Sequence, residues 1–172
     1  MRFTYCPDCG QKLSGRVLGD EGMVPWCDRC DKPWFDMFSS CVIVLAVNRE
    51  GKVALQKPAD RVYRYKTLVS GYMQPGESAE ECAVREVEEE LGLHVHTLKF
   101  VKTVWFPARE LLMVAFIGYT DDDAMTLSCE VEEADWYDAE EAIHLVHPKG
   151  PGNASNLLVE TYLNELRAAQ GE

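Results

Sequence analysis

The chain has no apolar run of the roughly 20 residues that a membrane-spanning helix needs, which argues against an integral membrane protein. Its opening residues, MRFTYCPDCG, lack the apolar stretch of a secretion signal, so we expect a cytoplasmic location. Internal repeats and low-complexity segments are also missing, which argues against a repeat architecture. The 172 residues, 47% hydrophobic and 27% charged, are typical of a soluble globular protein with one substantial domain, or with one domain and a small satellite.

Positive charge is scarce, since 17 basic residues face 29 acidic ones and the net charge is -12. An acidic surface repels nucleic-acid phosphates and anionic membranes, so long nucleic-acid contacts and membrane binding are not expected. A small phosphorylated substrate remains possible where cations mediate the contact. The acidity could equally serve solubility alone.

Cysteine, by contrast, is plentiful. Two C-x2-C pairs, CPDC and CDRC, are separated by 17 residues and supply Cys6, Cys9, Cys27 and Cys30. In a reducing cytoplasm such pairs more often hold metal than form disulfides, and four thiolates suit a structural Zn²⁺. An iron site or a redox dithiol are the alternatives. We therefore expect a small four-cysteine zinc ribbon at residues 1–40. The other three cysteines lie in apolar or helical contexts and are expected to be buried: Cys41, Cys82 and Cys129.

From residue 41 the pattern changes to alternating strands and helices, which predicts an α+β domain over residues 41–172. CVIVLAV and VALQK are expected to form a hairpin, followed by a loop (PADRVYRYK) and a short strand in TLVSGY. Later strands are expected in TLKFVKTVWF, LLMVAFIGY and ADWYD. Helices are expected in AEEAIHLV and in the terminal segment ASNLLVETYLNELRAAQ.

The most informative segment is GYMQPGESAEECAVREVEEELGL, residues 71–93. Ser78 and Glu81 form a predicted capping box and Gly92 a predicted C-terminal stop, so we expect a helix over 79–91. Helical spacing places Glu86, Glu89 and Glu90 on one face. An acidic solvated face is the ordinary interpretation of such a pattern. A hard divalent cation is the alternative, because it would relieve repulsion between carboxylates near the helix C-terminus.

This segment resembles the Nudix box, G-x5-E-x7-R-E-U-x-E-E-x-G-U with U a bulky aliphatic residue, and every fixed position matches. The resemblance implies the Nudix fold, a mixed β-sheet between helices. It also implies hydrolysis of a nucleoside diphosphate linked to another moiety. By position it assigns the catalytic Mg²⁺ or Mn²⁺ to Glu86, Glu89, Glu90 and Gly71. Arg85 would orient the segment through ion pairs, for example with Glu77.

The general base is left open among the box glutamates and an acidic residue outside the box. Glu130, in SCEVEEADWY, is our first outside candidate and Glu133 the second. An ordinary exposed turn carboxylate is the alternative interpretation for each.

A four-cysteine zinc ribbon followed by a Nudix domain resembles the NADH pyrophosphatase branch, whose members commonly form homodimers. That likeness favours a dinucleotide such as NADH or NAD⁺ as substrate. It departs after the box, where the branch motif S-Q-P-W-P-F-P-x-S is replaced by TVWFPAREL. ADP-ribose, FAD, another nucleotide diphosphate or the NAD cap of RNA therefore remain possible, as does a non-catalytic nucleotide sensor.

Three aromatic residues are candidates for stacking on a base or nicotinamide, namely Tyr72, Trp105 and Phe106. Packing in the core or at a dimer interface is the alternative for each. Arg61, Arg64 and Lys66 form the densest basic cluster and could hold substrate phosphate, although a solvated loop is the simpler interpretation.

Overall fold

The computed structural model describes residues 3–59 and 64–171. The chain divides into two compact units, Met1–Phe38 and Ser39–Glu172. The domain boundary predicted between residues 40 and 41 stays a prediction.

The N-terminal unit is a small antiparallel sheet of three strands, β1 (Ser14–Val17), β2 (Met23–Cys27) and β3 (Lys32–Pro33), in that order. A single 3-10 turn, Gly19–Glu21, links the first two strands. Few of its side chains are buried: Cys6, Val24, Trp26 and Cys27. So small an apolar core provides little folding free energy, and small units of this kind depend on a metal or another cross-link.

The second unit contains a six-stranded sheet built from β4 (Ser39–Val47), β5 (Val53–Pro58), β6 (Val69–Tyr72), β7 (Val95–Phe106), β8 (Leu111–Thr120) and β9 (Val131–Tyr137). The strand order is β7-β8-β4-β5-β9, and β6 pairs with the first half of β4. The β4–β8 pair is parallel over nine residues and the other pairs are antiparallel, so the sheet is mixed.

Helices cover both faces of this sheet. The helix α1 (Ala79–Leu91) packs on one face, whereas α2 (Ala139–Leu145) and α3 (Ala154–Gln170) pack on the other. Strand β4 is buried on both sides, with Val42 and Val44 facing α1 and Ile43 and Leu45 facing α3. This explains why its sequence is continuously apolar rather than alternating. The predicted mixed sheet between helices is confirmed.

Element positions agree closely with the sequence patterns. The terminal helix begins at Ala154 and the box helix spans Ala79–Leu91, as expected. Strand β9 begins at Val131, three residues before the predicted ADWYD, because its first residues pair with the end of β5. In the part of the chain described, no helix is both long and apolar enough to cross a membrane.

Candidate active site and metal-binding residues

The ends of α1 are fixed by local hydrogen bonds that the sequence predicts. The Ser78 hydroxyl accepts a hydrogen bond from the Glu81 amide at 3.2 Å, and the Ser78 amide donates to the Glu81 carboxylate at 2.8 Å. This reciprocal pair is a capping box. At the other end Gly92 adopts the left-handed conformation, with φ 68°, and its amide donates to the Glu88 carbonyl. The start and end of the helix are confirmed.

The three box glutamates of α1 differ in exposure. Glu90 is only 8% exposed, and the Glu86 side chain is 13% exposed, whereas the Glu89 side chain is 59% exposed. The same helix anchors itself in the core through Val87 and Leu91. The carboxylates of Glu86 and Glu90 therefore lie at the edge of the core, and that of Glu89 lies at the surface.

Arg85 joins the loop before α1 to the acidic face of the helix. Its guanidinium lies 2.8 Å from Glu77 Oε1, 2.7 Å from Glu86 Oε1 and 2.9 Å from Glu89 Oε2. It also donates to the Tyr72 carbonyl at 3.3 Å. The expected Arg85–Glu77 ion pair is present, and these contacts hold the pKa of Glu77 at about 2, chiefly through Arg85 and then the Gln74 amide.

Glu90 has an uncharged partner that the sequence analysis missed. Gln56, on β5, donates a hydrogen bond from Nε2 to Glu90 Oε2. Gln56 follows Ala54 on the face of β5 that packs against α1, so a polar side chain lies in an otherwise apolar layer. The alternating pattern of VALQK, with Val53 and Leu55 as its apolar positions, is consistent with an exposed Gln56 and therefore gave no signal of this contact.

Burial and mutual repulsion raise the pKa of the inner carboxyls. Desolvation raises the pKa of Glu86 and raises that of Glu90 to about 7. Arg85 opposes the shift at Glu86, and Gln56 opposes it at Glu90. The negative charge of Glu130 contributes to the rise at both positions.

Glu130 stands close to this group because its loop is fastened to α1. The Thr126 amide donates to the Leu91 carbonyl at 2.8 Å, and the Ser128 amide donates to the Glu90 carbonyl at 3.1 Å. These bonds also satisfy two of the carbonyls that a helix leaves without partners at its C-terminus.

Glu133, the second candidate base, is engaged in ion pairs instead. Its carboxylate lies 2.5 Å from Lys66 Nζ and 3.6 Å from Lys57 Nζ. The hydrogen bond from Lys66 lowers the pKa of Glu133, which makes that carboxylate a weaker proton acceptor. Between the two outside candidates, the geometry favours Glu130.

The box carboxylates fit a hard cation by chemistry, although their oxygens are not gathered around one point. Across residues 3–59 and 64–171, the only group of three or more potential ligands within 4.8 Å of one another is the cysteine cluster. Glu86 and Glu89 are instead turned to Arg85, and Glu90 to Gln56. Carboxylate oxygens are what Mg²⁺ and Mn²⁺ prefer, and Arg85 is the one cation that contacts Glu86 and Glu89 in the described structure.

The four N-terminal cysteines do converge. The sulfur of Cys6 lies 3.9 Å from that of Cys30, and Cys9 lies 3.5 Å from Cys27. Four sulfurs at about 2.3 Å from a tetrahedral zinc ion would be roughly 3.8 Å apart, so the cluster has the dimensions of a zinc site. Contact with Cys9 raises the pKa of the Cys30 thiol to about 12, and a bound cation would remove this penalty for ionisation.

Comparison with known proteins agrees with this arrangement. The family described as NUDIX domain matches residues 37–158. The chain belongs to the Nudix family. A relative from Pseudomonas fluorescens, named NAD-capped RNA hydrolase NudC, is 30% identical over 96% of this chain and 56% of its own length. A second relative with this name, from Vibrio parahaemolyticus, is 27% identical over 95% of this chain and 61% of its own length. The chain thus spans little more than half the length of these curated relatives.

Solved structures show the same fold at low identity. A Nudix hydrolase from Nitrosomonas europaea aligns with a TM-score of 0.68 and 20% identity, over 94% of this chain and 93% of that one. An Ap4A hydrolase from C. elegans aligns with a TM-score of 0.61 and 18% identity, over 74% and 98%. These likenesses establish the Nudix fold and say nothing further about this chain.

Within this Nudix domain, the three aromatic residues predicted to bind substrate are not on one surface. Side chains alternate along a strand, and residues paired across two strands lie on the same face. By this rule Tyr72 lies on the same face as Ile43, and Phe106 on the same face as Val104. Both belong to the face covered by α2 and α3. Trp105 lies on the opposite face, toward α1. Tyr72 and Trp105 are exposed, and Phe106 is half-buried. Tyr72 and Phe106 therefore share a face but belong to strands separated by β4 and β8, and Trp105 is on the other face.

The remaining predictions have mixed outcomes. Cys41 and Cys82 are buried as expected, but Cys129 is exposed, so the prediction for that residue was wrong. Cys129 lies in the irregular segment before β9, between Ser128 and Glu130, neither of which is buried. Of the basic cluster, Arg61 lies outside the described residues, and Lys66 is paired with Glu133 rather than solvated.

Proposed function

We propose that the chain hydrolyses the diphosphate bond of a nucleoside diphosphate linked to another moiety, with NADH or NAD⁺ as the leading candidates and Mg²⁺ or Mn²⁺ as the required cation. Support comes from membership of the Nudix family and from relatives named NAD-capped RNA hydrolase, which match almost the whole of this chain. Since those relatives are nearly twice as long, their substrate is carried to this chain as part of the proposal.

The observation that carries the proposal is the partly buried pair Glu86 and Glu90, with Glu89 and the charge of Glu130 beside it. We assign the cation to the three box glutamates together with the Gly71 backbone. A bound divalent cation would neutralise the phosphates, polarise their oxygens and lower the pKa of a coordinated water.

The chain's own residues then have distinct tasks. Arg85 holds the loop and α1 in register and partly neutralises Glu86 and Glu89. We assign the general base to Glu130, whose charge acts on Glu86 and Glu90, or to a box glutamate. Tyr72, Trp105 and Phe106 remain the residues proposed to stack on a ring of the substrate: Trp105 lies on the face of the sheet that carries α1, and Tyr72 and Phe106 lie on the other.

The N-terminal unit is proposed to bind one structural Zn²⁺ through Cys6, Cys9, Cys27 and Cys30, with the ribbon comprising residues 1–40 and the Nudix domain residues 41–172. The 3.5 and 3.9 Å sulfur separations support this choice of metal. We further propose a cytoplasmic homodimer, on the resemblance to the NADH pyrophosphatase branch and on cysteines that are all free thiols.

A second candidate substrate is the NAD cap of RNA, favoured by the names of the relatives. The net charge of -12 opposes contacts with a long RNA body but not with the cap itself. The two candidates share the same diphosphate bond, and they differ only in whether an RNA chain is attached to the adenosine nucleotide.

The test is product analysis by liquid chromatography with NADH, NAD⁺, ADP-ribose, FAD and NAD-capped RNA, each with Mg²⁺, with Mn²⁺ and with a chelator. We expect cation-dependent release of nicotinamide mononucleotide and AMP from NADH or NAD⁺. A Glu89→Gln variant should be inactive yet folded, since its side chain is largely exposed. Equal turnover by that variant, or turnover that survives chelation, would rule out the proposed mechanism. Cleavage of ADP-ribose or FAD alone would keep the mechanism and change the substrate.

A further inference from the structure

Gln56 is a buried polar residue on a strand that is otherwise apolar on the same face. It is 5% exposed, and the cluster around it contains Ala54, Ala134 and Val131. Placing an amide in such surroundings costs free energy unless both of its polar atoms find partners. A leucine would fill the position without this cost, which indicates that the amide of Gln56 has a specific role.

Only one end of the Gln56 amide has a partner. Its Nε2 donates to Glu90 Oε2, whereas Oε1 is buried and accepts no hydrogen bond in the described structure. In the second unit it is the one buried side-chain oxygen or nitrogen, among the described residues, that lacks a partner. Gln56 Oε1 can therefore accept a hydrogen bond from a donor outside the described chain, such as water.

The partner of Glu90 also differs in charge from those of the other box glutamates. Glu86 and Glu89 are paired with Arg85, and a divalent cation must compete with the guanidinium for their oxygens. Gln56 fixes the orientation of Glu90 without neutralising it, because an amide carries no charge. The charge on Glu90 is therefore left for a cation.

We propose that Gln56 is a positioning residue of the metal site: Nε2 orients Glu90 toward the cation, and Oε1 accepts a hydrogen bond from water that the cation brings. This inference rests on the proposed function. Hydrogen-bond partners of metal ligands typically contribute 10–100-fold to metal affinity or activity, so the loss of Gln56 should weaken metal binding by about that factor.

The test is Mn²⁺ affinity measured by electron paramagnetic resonance on the full chain without substrate. Gln56→Leu, which removes both polar atoms, should bind Mn²⁺ about 10–100-fold more weakly. Activity should follow the same shift, with a higher Mn²⁺ requirement but a near-normal KM for substrate at saturating metal. Gln56→Met provides a second variant should the leucine substitution unfold the chain.

Two controls separate positioning from a general loss of packing. Tyr162→Phe removes a hydroxyl that donates to the Gly51 carbonyl at 3.1 Å, near the other end of the sheet, and should leave Mn²⁺ affinity unchanged. In a Glu90→Gln background, Gln56→Leu should reduce the remaining Mn²⁺ affinity by a smaller factor than in the parent, because the contribution made through Glu90 is already lost and only the contact of Oε1 with water remains.

Unchanged Mn²⁺ affinity in folded Gln56→Leu would overturn the inference, as would an equal loss in both backgrounds. Neither result would contradict the proposal that the chain hydrolyses a diphosphate bond. If instead the unsubstituted chain took up no Mn²⁺, the metal assignment within the proposed function would fail, and this inference would fail with it.

Discussion

Gly71 lies against the carboxylate of Glu86 so closely that a β-carbon at Gly71 would come 1.8 Å from Glu86 Cδ. Gly71 belongs to β6, which pairs with β4, and Glu86 belongs to α1, which packs on that sheet. The glycine is thus needed for space beside the acid rather than for an unusual backbone conformation. This contact links the first fixed residue of the box to the first of its three metal-assigned glutamates.

A Gly71→Ala substitution should therefore displace Glu86 while leaving the fold intact. We expect kcat/KM to fall at least about 100-fold, since a shift of about 1 Å in a reacting group can cost that much. Gly150→Ala is the matched control, because the nearest atom to its added carbon is the Pro148 carbonyl oxygen at 3.9 Å. Steady-state kinetics with circular dichroism on both variants checks this, and near-normal activity in Gly71→Ala would contradict it.

The Arg85–Glu77 pair should make stability depend on pH at the acid end. Because the folded-state pKa of Glu77 is about 2, below its ordinary value of 4.5, the pair stabilises the fold above about pH 4.5 and loses this effect as the pH falls toward 2. Glu77→Gln should thus be less stable than the parent at pH 7, and the difference should shrink steadily below pH 4.5. Urea unfolding of both proteins across this range measures it. A difference independent of pH would show that the charge of Glu77 is irrelevant.

Glu90 should have the opposite effect on stability. Its folded-state pKa of about 7 lies above 4.5, so without metal the fold is most stable with Glu90 protonated and loses that stability as the pH rises from 4.5 through 7. A Glu90→Gln variant in chelator should match the parent at low pH and exceed its stability above pH 7, by on the order of 3 kcal/mol. The same variant should be inactive. Thermal unfolding at pH 5 and pH 8 compares the two, and a less stable variant at pH 8 would contradict the prediction.

The two acidic residues outside the box should behave differently when neutralised. Glu130→Gln removes the carboxylate whose charge reaches Glu86 and Glu90, and we expect a 10²–10⁴-fold loss in kcat if it is the general base. Glu133→Gln breaks ion pairs with Lys57 and Lys66 and should leave kcat within about twofold, because those two lysines already neutralise this carboxylate. Equal activity in the two variants would indicate that the general base is one of the box glutamates.

Much of this site could be predicted from the sequence because its determinants are local. The capping residues of α1, its length and the Arg85–Glu77 pair all lie within the 23 residues of the box. Gln56 could not be paired with Glu90 in this way, since the two residues are 34 positions apart, on β5 and α1, and meet only through the packing of the helix on the sheet. The placement of Trp105 and Tyr72 on opposite faces of the sheet could not be predicted either. It depends on how β6, β4, β8 and β7 pair with one another, and the periodicity of each strand alone does not reveal that pairing.

Metal removal should affect the N-terminal unit first. The parent is expected to contain about one zinc ion per chain, and Cys27→Ser, at a fully buried ligand position, should lose it. Residues 3–38 should then become sensitive to protease, because that unit buries few apolar side chains. Cys82→Ala, which removes a buried thiol outside the cluster, should keep the zinc. Elemental analysis and limited proteolysis distinguish the variants, and retention of zinc by Cys27→Ser would refute the assignment.

The main-chain hydrogen bonds from Thr126 and Ser128 to the last turn of α1 make the position of Glu130 depend on chain length. The Ser128 hydroxyl, which accepts a hydrogen bond from the Glu130 amide at 3.2 Å, adds one dependence on a side chain. Replacements other than proline between residues 121 and 129 would leave the amides of residues 126 and 128 in place. A single inserted or deleted residue there would shift the spacing between the amides and the acid, carrying Glu130 away from the helix. Deep mutational scanning of this loop should accordingly show less tolerance to changes in length than to replacements, with proline and changes at Ser128 as the exceptions.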